Sequence, residues 1–198
     1  MSIAPRPMSE PATIAATAVV ESPCAIGPGT RIWHHCHVMA GARIGSDCVL
    51  GKGVQISGGA IVGDRVKIQN NVSVYDGVVI EDDAFLGPSC VLTNVKHPRA
   101  AISRKHALEE TRIGRGATLG ANATIVCGVK VGAYAFVAAG AVVTRDVAAH
   151  ALVSGVPARQ VGWVGRLGLR LVADGDALCC PESSERYRVV DGALVPAC

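Results

Sequence analysis

Every sixth residue of this chain is aliphatic over most of its length. The run reads Ile14, Val20, Ile26, Ile32, Val38, Ile44, Leu50, Ile56, Val62, Ile68, Val74, Ile80, Leu86 and Leu92, fourteen consecutive hits. Ile, Val and Leu make up about a quarter of the residues, so chance gives such a run on the order of once in a hundred million trials per frame. The phase breaks after Leu92 and resumes at Ile113, Leu119, Ile125, Val131, Val137 and Val143. Four residues after each aliphatic position stands a small or β-branched residue: Ala18, Cys24, Thr30, Cys36, Ala42, Cys48 and onward to Ala135, Ala141 and Val147. Gly often follows the aliphatic residue directly, as in Ile26-Gly27, Ile44-Gly45 and Leu119-Gly120. A period of six suits neither a helix nor a plain alternating strand. It suits short flat strands joined by tight turns, three to a triangular coil, with stacked coils pairing backbone to backbone about 4.8 Å apart.

Composition then makes sense. The 198 residues are 49% hydrophobic but only 4% aromatic, with 23 Gly. Aliphatic and small columns fill a narrow core that has no room for rings. The positive mean hydropathy does not signal a membrane protein, because the longest charge-free apolar stretch, around Val131 to Thr144, is too short to span a bilayer. Low charge and abundant β-branched residues exclude disorder. Of 8 Cys, four (Cys24, Cys36, Cys48 and Cys90) fall in the small inward column, where a free thiol packs as an apolar group. The N-terminal dozen residues, with Pro5, Pro7 and Pro11, hold no apolar signal-peptide core, so a reduced cytoplasm is expected. A net charge of +3 is too small to argue for nucleic acid. No membrane insertion is expected.

This pattern resembles the hexapeptide-repeat acyltransferases, which implies an all-β fold: a left-handed parallel β-helix of hexapeptide repeats with a protruding loop and a small C-terminal β extension. The expected division is a flexible segment over 1–13, the β-helix over 14–158 with its loop at 93–112, and an extension over 159–198. A closed solenoid has no deep pocket of its own, so the break in the repeat locates the chemistry. Leu92 and Ile113 are 21 residues apart, not a multiple of six, and the insert is polar and basic. Asn94 and His97 stand at its base.

The runs Gln69 to Val78, Leu86-Gly87-Pro88-Ser89, Thr93-Asn94-Val95 and Pro98-Arg99 look like the bacterial nucleotide-sugar N-acetyltransferases. Within these they resemble the WbpD/WlbB group, which acetylates the 3-amino group of UDP-2-acetamido-3-amino-2,3-dideoxyglucuronate. Ile32-Trp33-His34, Gly120 to Gly128 and Gly155-Val156-Pro157-Ala158-Arg159 fit the same group. The resemblance implies a homotrimer in which acetyl-CoA, the acetyl donor, lies in the groove between two subunits, with no metal. It implies Asn94 as the residue that orients the attacking amine, and surface polysaccharide or lipopolysaccharide synthesis as the setting. His34, His37, Tyr75, Asp76 and Arg99 are candidate sugar-nucleotide contacts. Gly120, Asn122, Ala139 and Arg159 are candidate acetyl-CoA contacts.

One departure leaves two chemistries open. His97-Pro98 resembles the hydroxyl-acetylating relatives, in which a His is the general base, so an O-acetyltransferase using His97 is the alternative. Other classes are a non-catalytic scaffold and a carbonic-anhydrase-like zinc enzyme. The latter needs His residues stacked on neighbouring coils, but the positions 18 residues after His34, His35 and His37 hold Lys52, Gly53 and Gln55. After Trp163 the hexads stop. Two alternating segments, 169–175 and 186–194, each contain Asp-Gly, a hairpin signal. Cys179-Cys180-Pro181 between them reads as a degenerate zinc-ribbon knuckle, with Ser183 and Ser184 replacing its second Cys and Gly.

Overall fold

The aliphatic residue of each hexad ends a strand, usually of two residues, and the next four residues turn a corner. The computed structural model describes residues 10–104 and 106–197; most of the N-terminal segment expected over 1–13 lies outside the described residues. Strands fall on three faces in rotation. The first face carries Thr13–Ile14, Arg31–Ile32, Val49–Leu50 and their successors; the second begins with Val19–Val20 and the third with Ala25–Ile26. Within each face the partners are parallel and 18 residues apart, as in Arg31↔Val49 and His37↔Gln55. Among the described residues no helix is long and apolar enough to cross a membrane.

The corners depend on a third column of period six. The residue three after the aliphatic one has φ in the left-handed region: Gly29, His35, Gly41, Asp47, Gly53, Arg65, Asn71 and Gly77 continue the series, which runs on to Asn122, Tyr134 and Gly140. Gly and Asn tolerate that conformation, and a ring such as that of Tyr134 stands there at a cost. The residue after the aliphatic one is constrained differently. A Cβ on Gly120 would run into the Ala139 amide nitrogen on the next coil, so only Gly lets the two coils close.

From Ile32 onward the two columns read from the sequence form one continuous core, with Ala18, Val20, Cys24 and Ile26 partly buried against it and Ile14 exposed at its N-terminal end. Leu50, Ile56, Ile68, Leu86 and Leu119 are fully enclosed, as are Val54, Val66 and Cys48 beside them. Rings stay outside: Phe85 and Phe136 are half-buried and Trp33 is exposed. Cys36 and Cys48 donate their thiols to Gly51 O and Gly63 O on the next coil at 3.0 and 3.1 Å. Burial pushes the Cys90 thiol up to about 12. These are inert filler thiols.

The parallel stack ends at Ala151–Ser154, where the chain reverses into the antiparallel strand Arg159–Trp163. Beyond it, Val172–Asp174, Ala177–Cys179, Arg186–Val190 and Ala193–Pro196 form an antiparallel meander. Both Asp-Gly pairs stand at its hairpins, and Asp191 and Gly192 are both left-handed, as a tight I′ turn requires. Leu171, Cys180, Tyr187 and Leu194 form a second small core, and Trp163 packs against both cores. His150 completes the junction. Its ring stacks on Tyr134 at 5.1 Å, meets Tyr187 at 5.8 Å, and its Nδ1 lies 3.0 Å from Val164 O.

Two outcomes are expected. Leu86→Ala leaves a cavity among enclosed neighbours and lowers unfolding free energy by about 2–5 kcal/mol in urea titrations. His150 is held below its usual 6.5, first by burial and then by Arg166, against the opposing Val164 carbonyl and Glu185. The native state therefore binds fewer protons than the unfolded one. The stability due to neutral His150 is fully present above about pH 6.5 and is lost as pH falls toward the depressed value. Melting temperatures measured between pH 8 and 5 should fall more steeply for the native sequence than for His150→Gln.

Candidate active site under the loop

The insert leaves the second face after Val91–Leu92 and returns on the third face at Thr111–Ile113. Partner spacing across it is 33 residues, in Val78↔Thr111, Phe85↔Thr118 and Val91↔Thr124 alike. A normal coil has 18, so the loop adds 15 residues to one coil and disturbs no register. The strand resumes at Thr111, one residue before the start expected for a two-residue strand ending at Ile113. Thr111 is buried because its amide bonds Gly77 O at 2.9 Å and its hydroxyl accepts from the Gly128 amide at 3.2 Å.

The base of the loop is clasped. The Glu109 amide donates to Asn94 O at 3.1 Å, and Lys96 Nζ meets Glu109 Oε2 at 2.7 Å. That carboxylate bond raises the Lys96 pKa. Thr93 Oγ1 accepts from the Cys127 amide at 2.9 Å, tying the departing chain to the next coil. Farther out, Arg99 and Ile102 form a small antiparallel bridge.

Between this loop and the solenoid lies a cavity of about 710 Å³. Its solenoid wall is Tyr75, Asp76 and Val91; its loop wall includes Asn94, Arg99 and Arg104. Asp76 and Asn94 are 18 residues apart, so they stand at the same corner on adjacent coils. Asp76 Oδ1 accepts the Gly59 amide at 2.7 Å, which fixes the carboxylate and leaves its other oxygen without a partner among the described residues. The Asn94 side-chain amide is likewise unengaged among the described residues. Arg104 Nε is shut off from solvent and has no hydrogen-bond partner among the described residues. Leaving such a charged donor unmet is costly, on the order of 1–3 kcal/mol. Ile102 and Leu108, both substantially exposed, supply the apolar part of the wall.

Four of the sequence candidates thus meet: Tyr75, Asp76, Asn94 and Arg99. His97 is exposed on the loop and is not part of the cavity wall. His37 lies on the second face with Nε2 2.7 Å from Glu21 Oε1. The Ala40 amide and then His37 hold that carboxyl below its usual range. His34 lies at the other end of the second face, at the corner between first and second faces, 2.9 Å from Thr17 Oγ1. Gly120, Asn122 and Ala139 share that corner. Coil stacking accounts for Gly120, and a left-handed φ of 55° accounts for Asn122. Arg159 lines a separate, smaller cavity of about 210 Å³ with Arg145, Asp146 and Gln160. Arg104, Ile102 and Leu108 were not singled out from the sequence, since the insert has no period to place them. The 18-residue spacing of Asp76 and Asn94 was a usable signal.

The bacterial transferase hexapeptide (six repeats) family matches residues 23–58, 41–74, 59–94 and 110–145, more than half of the chain and all but the loop between them. The chain belongs to that family and has its left-handed parallel β-helix fold. It is 42% identical over 85 residues to the dTDP-3-amino-3,6-dideoxy-alpha-D-galactopyranose 3-N-acetyltransferase of Aneurinibacillus thermoaerophilus, covering 42% of this chain and 43% of that protein. The chain thus spans less than half the length of that relative. Serine acetyltransferase 4 of Arabidopsis thaliana is 45% identical over 65 residues, 33% of this chain and 18% of that one. Among solved structures, a variant of the perosamine N-acetyltransferase from Caulobacter crescentus, in complex with CoA and GDP-perosamine, matches with a TM-score of 0.50 and 27% identity, covering 78% of this chain and 58% of that chain. A hexapeptide-repeat acetyltransferase from Vibrio cholerae, complexed with acetyl coenzyme A, matches with a TM-score of 0.56 and 28% identity over 63% of this chain and 72% of that one.

The clasp generates a test. The Lys96 and Glu109 side chains are 48% and 37% exposed, so the pair does little for global stability. Glu109→Ala should leave the melting temperature nearly unchanged but speed limited trypsin cleavage after Arg99 and Arg104, read by mass spectrometry.

Proposed function

We propose that this protein is an acetyl-CoA-dependent N-acetyltransferase acting on the 3-amino group of a nucleotide-linked amino sugar. The finer reading is a substrate of the UDP-2-acetamido-3-amino-2,3-dideoxyglucuronate type, used in surface polysaccharide or lipopolysaccharide synthesis in the cytoplasm. The observation that carries it is the cavity at the loop base, which Asn94 and Asp76 line together and no histidine among the described residues joins. A relative that acetylates a 3-amino sugar nucleotide, and a structural neighbour bound to CoA and a sugar nucleotide, support the same reading.

The chemistry suits such a wall. A neutral amine is already a good nucleophile, so the site needs orientation more than a strong base. The free amide of Asn94 holds the amine lone pair toward the thioester carbon, while Asp76 and Tyr75 take sugar hydroxyls. The new C–N bond forms as the C–S bond breaks, and the amine proton passes to the departing thiolate. A backbone N–H near the thioester carries the oxyanion. The protein acts as a homotrimer in this reading, with a neighbouring subunit covering the open side of the cavity and acetyl-CoA lying in the groove between the two.

Thiol release from acetyl-CoA, measured against UDP-3-amino and dTDP-3-amino sugars, tests this directly. Asn94→Ala should lower turnover on the order of a hundredfold, and His97→Ala should leave it nearly unchanged. The reverse order would replace amine orientation by base catalysis from His97. No CoA release with any amino sugar would remove the proposal.

A further inference from the structure

Asp76 caps a corner of the solenoid in a way that other corners repeat. Asp64 Oδ1 accepts the Ser46 amide at 2.7 Å, Asp82 Oδ1 the Asp64 amide at 3.0 Å, and Asn70 Oδ1 the Lys52 amide at 2.9 Å. Asp76 Oδ1 does the same for the Gly59 amide. Asn70 shows that the cap needs an oxygen and not a charge. The cap therefore does not account for the negative charge of Asp76.

Asp64 and Asp82 spend their second oxygens on cations. Asp82 Oδ2 meets Arg65 Nη2 at 3.5 Å and Arg115 Nη2 at 3.9 Å, and Asp64 Oδ2 meets Arg65 Nη1 at 4.0 Å. Asp76 Oδ2 meets no cation among the described residues. It belongs to a half-buried side chain that lines the cavity with the apolar Val91, Leu92 and Val95. The charged groups around it are few. Arg99 and Arg104 line the loop wall without pairing with it, and Lys96 and Glu109 at the loop base satisfy each other. Tyr75 is the other titratable group on its own corner; the coil below offers Gly58 and Gly59 there, and the coil above offers Asn94. Adjacent coils are about 4.8 Å apart, so Asp76 and Asn94 can both reach one atom lying between them.

The acceptor of the proposed reaction brings a cation of matching size. A sugar amine, like an α-amino group, loses its proton near pH 8, at about 7.7–8.0. It arrives at neutral pH largely as an ammonium, and an ammonium has no lone pair with which to attack a thioester. We infer that Asp76 is a further catalytic residue, which receives the acceptor as its ammonium and takes a proton from the nitrogen. The inference rests on the reading that this cavity takes the acceptor. Oδ2 accepts one ammonium proton and keeps it while the neutral nitrogen, oriented by Asn94, attacks the thioester carbon. The C–N bond forms, the C–S bond breaks, and a second proton passes from nitrogen to the departing sulfur. The third stays on the amide. Asp76 then releases its proton to solvent, and the products are the acetamido sugar, the CoA thiol and one proton.

Two measurements on the full chain test this. The first is calorimetric binding, without acetyl-CoA, of UDP-2-acetamido-3-amino-2,3-dideoxyglucuronate and of its 3-hydroxyl counterpart. At pH 7 the native sequence should bind the amine roughly tenfold more tightly, as a charge-assisted contact gives. That preference should shrink as pH rises through about 8. Asp76→Asn keeps an oxygen for the Gly59 amide, as Asn70 does for Lys52, and should bring the two affinities together. The second is kcat/KM for acetyl transfer against pH. The native profile should be level from about pH 6.5 to about 8 and fall above it, because the reacting complex holds one proton between amine and carboxylate. Asp76→Asn takes only the neutral amine, so its profile should rise about tenfold per pH unit up to about 8 and then level off. Unaltered melting of the variant confirms that folding is not the cause. An equal loss of affinity for both nucleotides would reduce Asp76 to a hydroxyl contact and overturn the assignment. A variant that keeps the native pH profile would overturn it as well. Amine-selective binding that Asp76→Asn abolishes, with no thiol release from acetyl-CoA, would uphold Asp76 as the receptor of the ammonium and remove the proposed reaction instead.

Discussion

The corner that each hexad turns in the left-handed region of φ governs the rest of this structure. Gly29, His35, Gly41, Asp47 and their successors bend the chain at the same point of most hexads, so strands of the same face come back into line after three corners. Alignment in turn lets each coil hydrogen-bond to the next, as Arg31 N does to Cys48 O and Val49 N to Val66 O. That ladder brings coils so close that Gly27, Gly45 and Gly120 have no space for a side chain. The narrow bore then admits only aliphatic and small residues. The shortage of aromatics, the free thiols and the repeated glycines all follow from one backbone conformation recurring every six residues.

The fold was legible because a one-dimensional repeat leaves its mark directly in the chain. Ile14 to Leu92 and Ala18 to Cys90 gave the two inward columns, and Asp191-Gly192 gave its hairpin. What the columns did not display was the reason for the residues between them. Gly120 and Asn122 read equally well as ligand contacts or as coil corners, and only the close approach of Ala139 and the φ of Asn122 separate those uses. The loop was legible as an interruption and not as a shape. Asn94 sits at its first corner, where the register still holds, and its place above Asp76 is written in their 18-residue spacing. Arg104 lies ten residues farther along a segment without a period, so its position depends on the clasp by Glu109 and on the Arg99–Ile102 bridge. His97 stood out by residue type, but it does not line the cavity that its neighbours enclose.

The solenoid also keeps apart two groups that a linear reading joins. His34 and Asn94 belong to different corners of the triangle, at opposite ends of the second face. The proposed trimer is the arrangement in which another subunit's surface approaches the open side of the cavity. Exposed Val91, Ile102 and Leu108 give that side its apolar character.

The loop's 15 extra residues enter at one corner and shift all three ladders by the same amount. The coil above and the coil below therefore carry no record of how long the loop is. Closing a loop costs only about 0.6 kcal/mol more for each doubling of its length, and none of that falls on the enclosed aliphatic residues. A lineage built on this plan can lengthen, shorten or exchange the segment that borders the cavity while the scaffold stays as it is. Substrate choice can thus drift at a rate that the stability of the barrel does not limit.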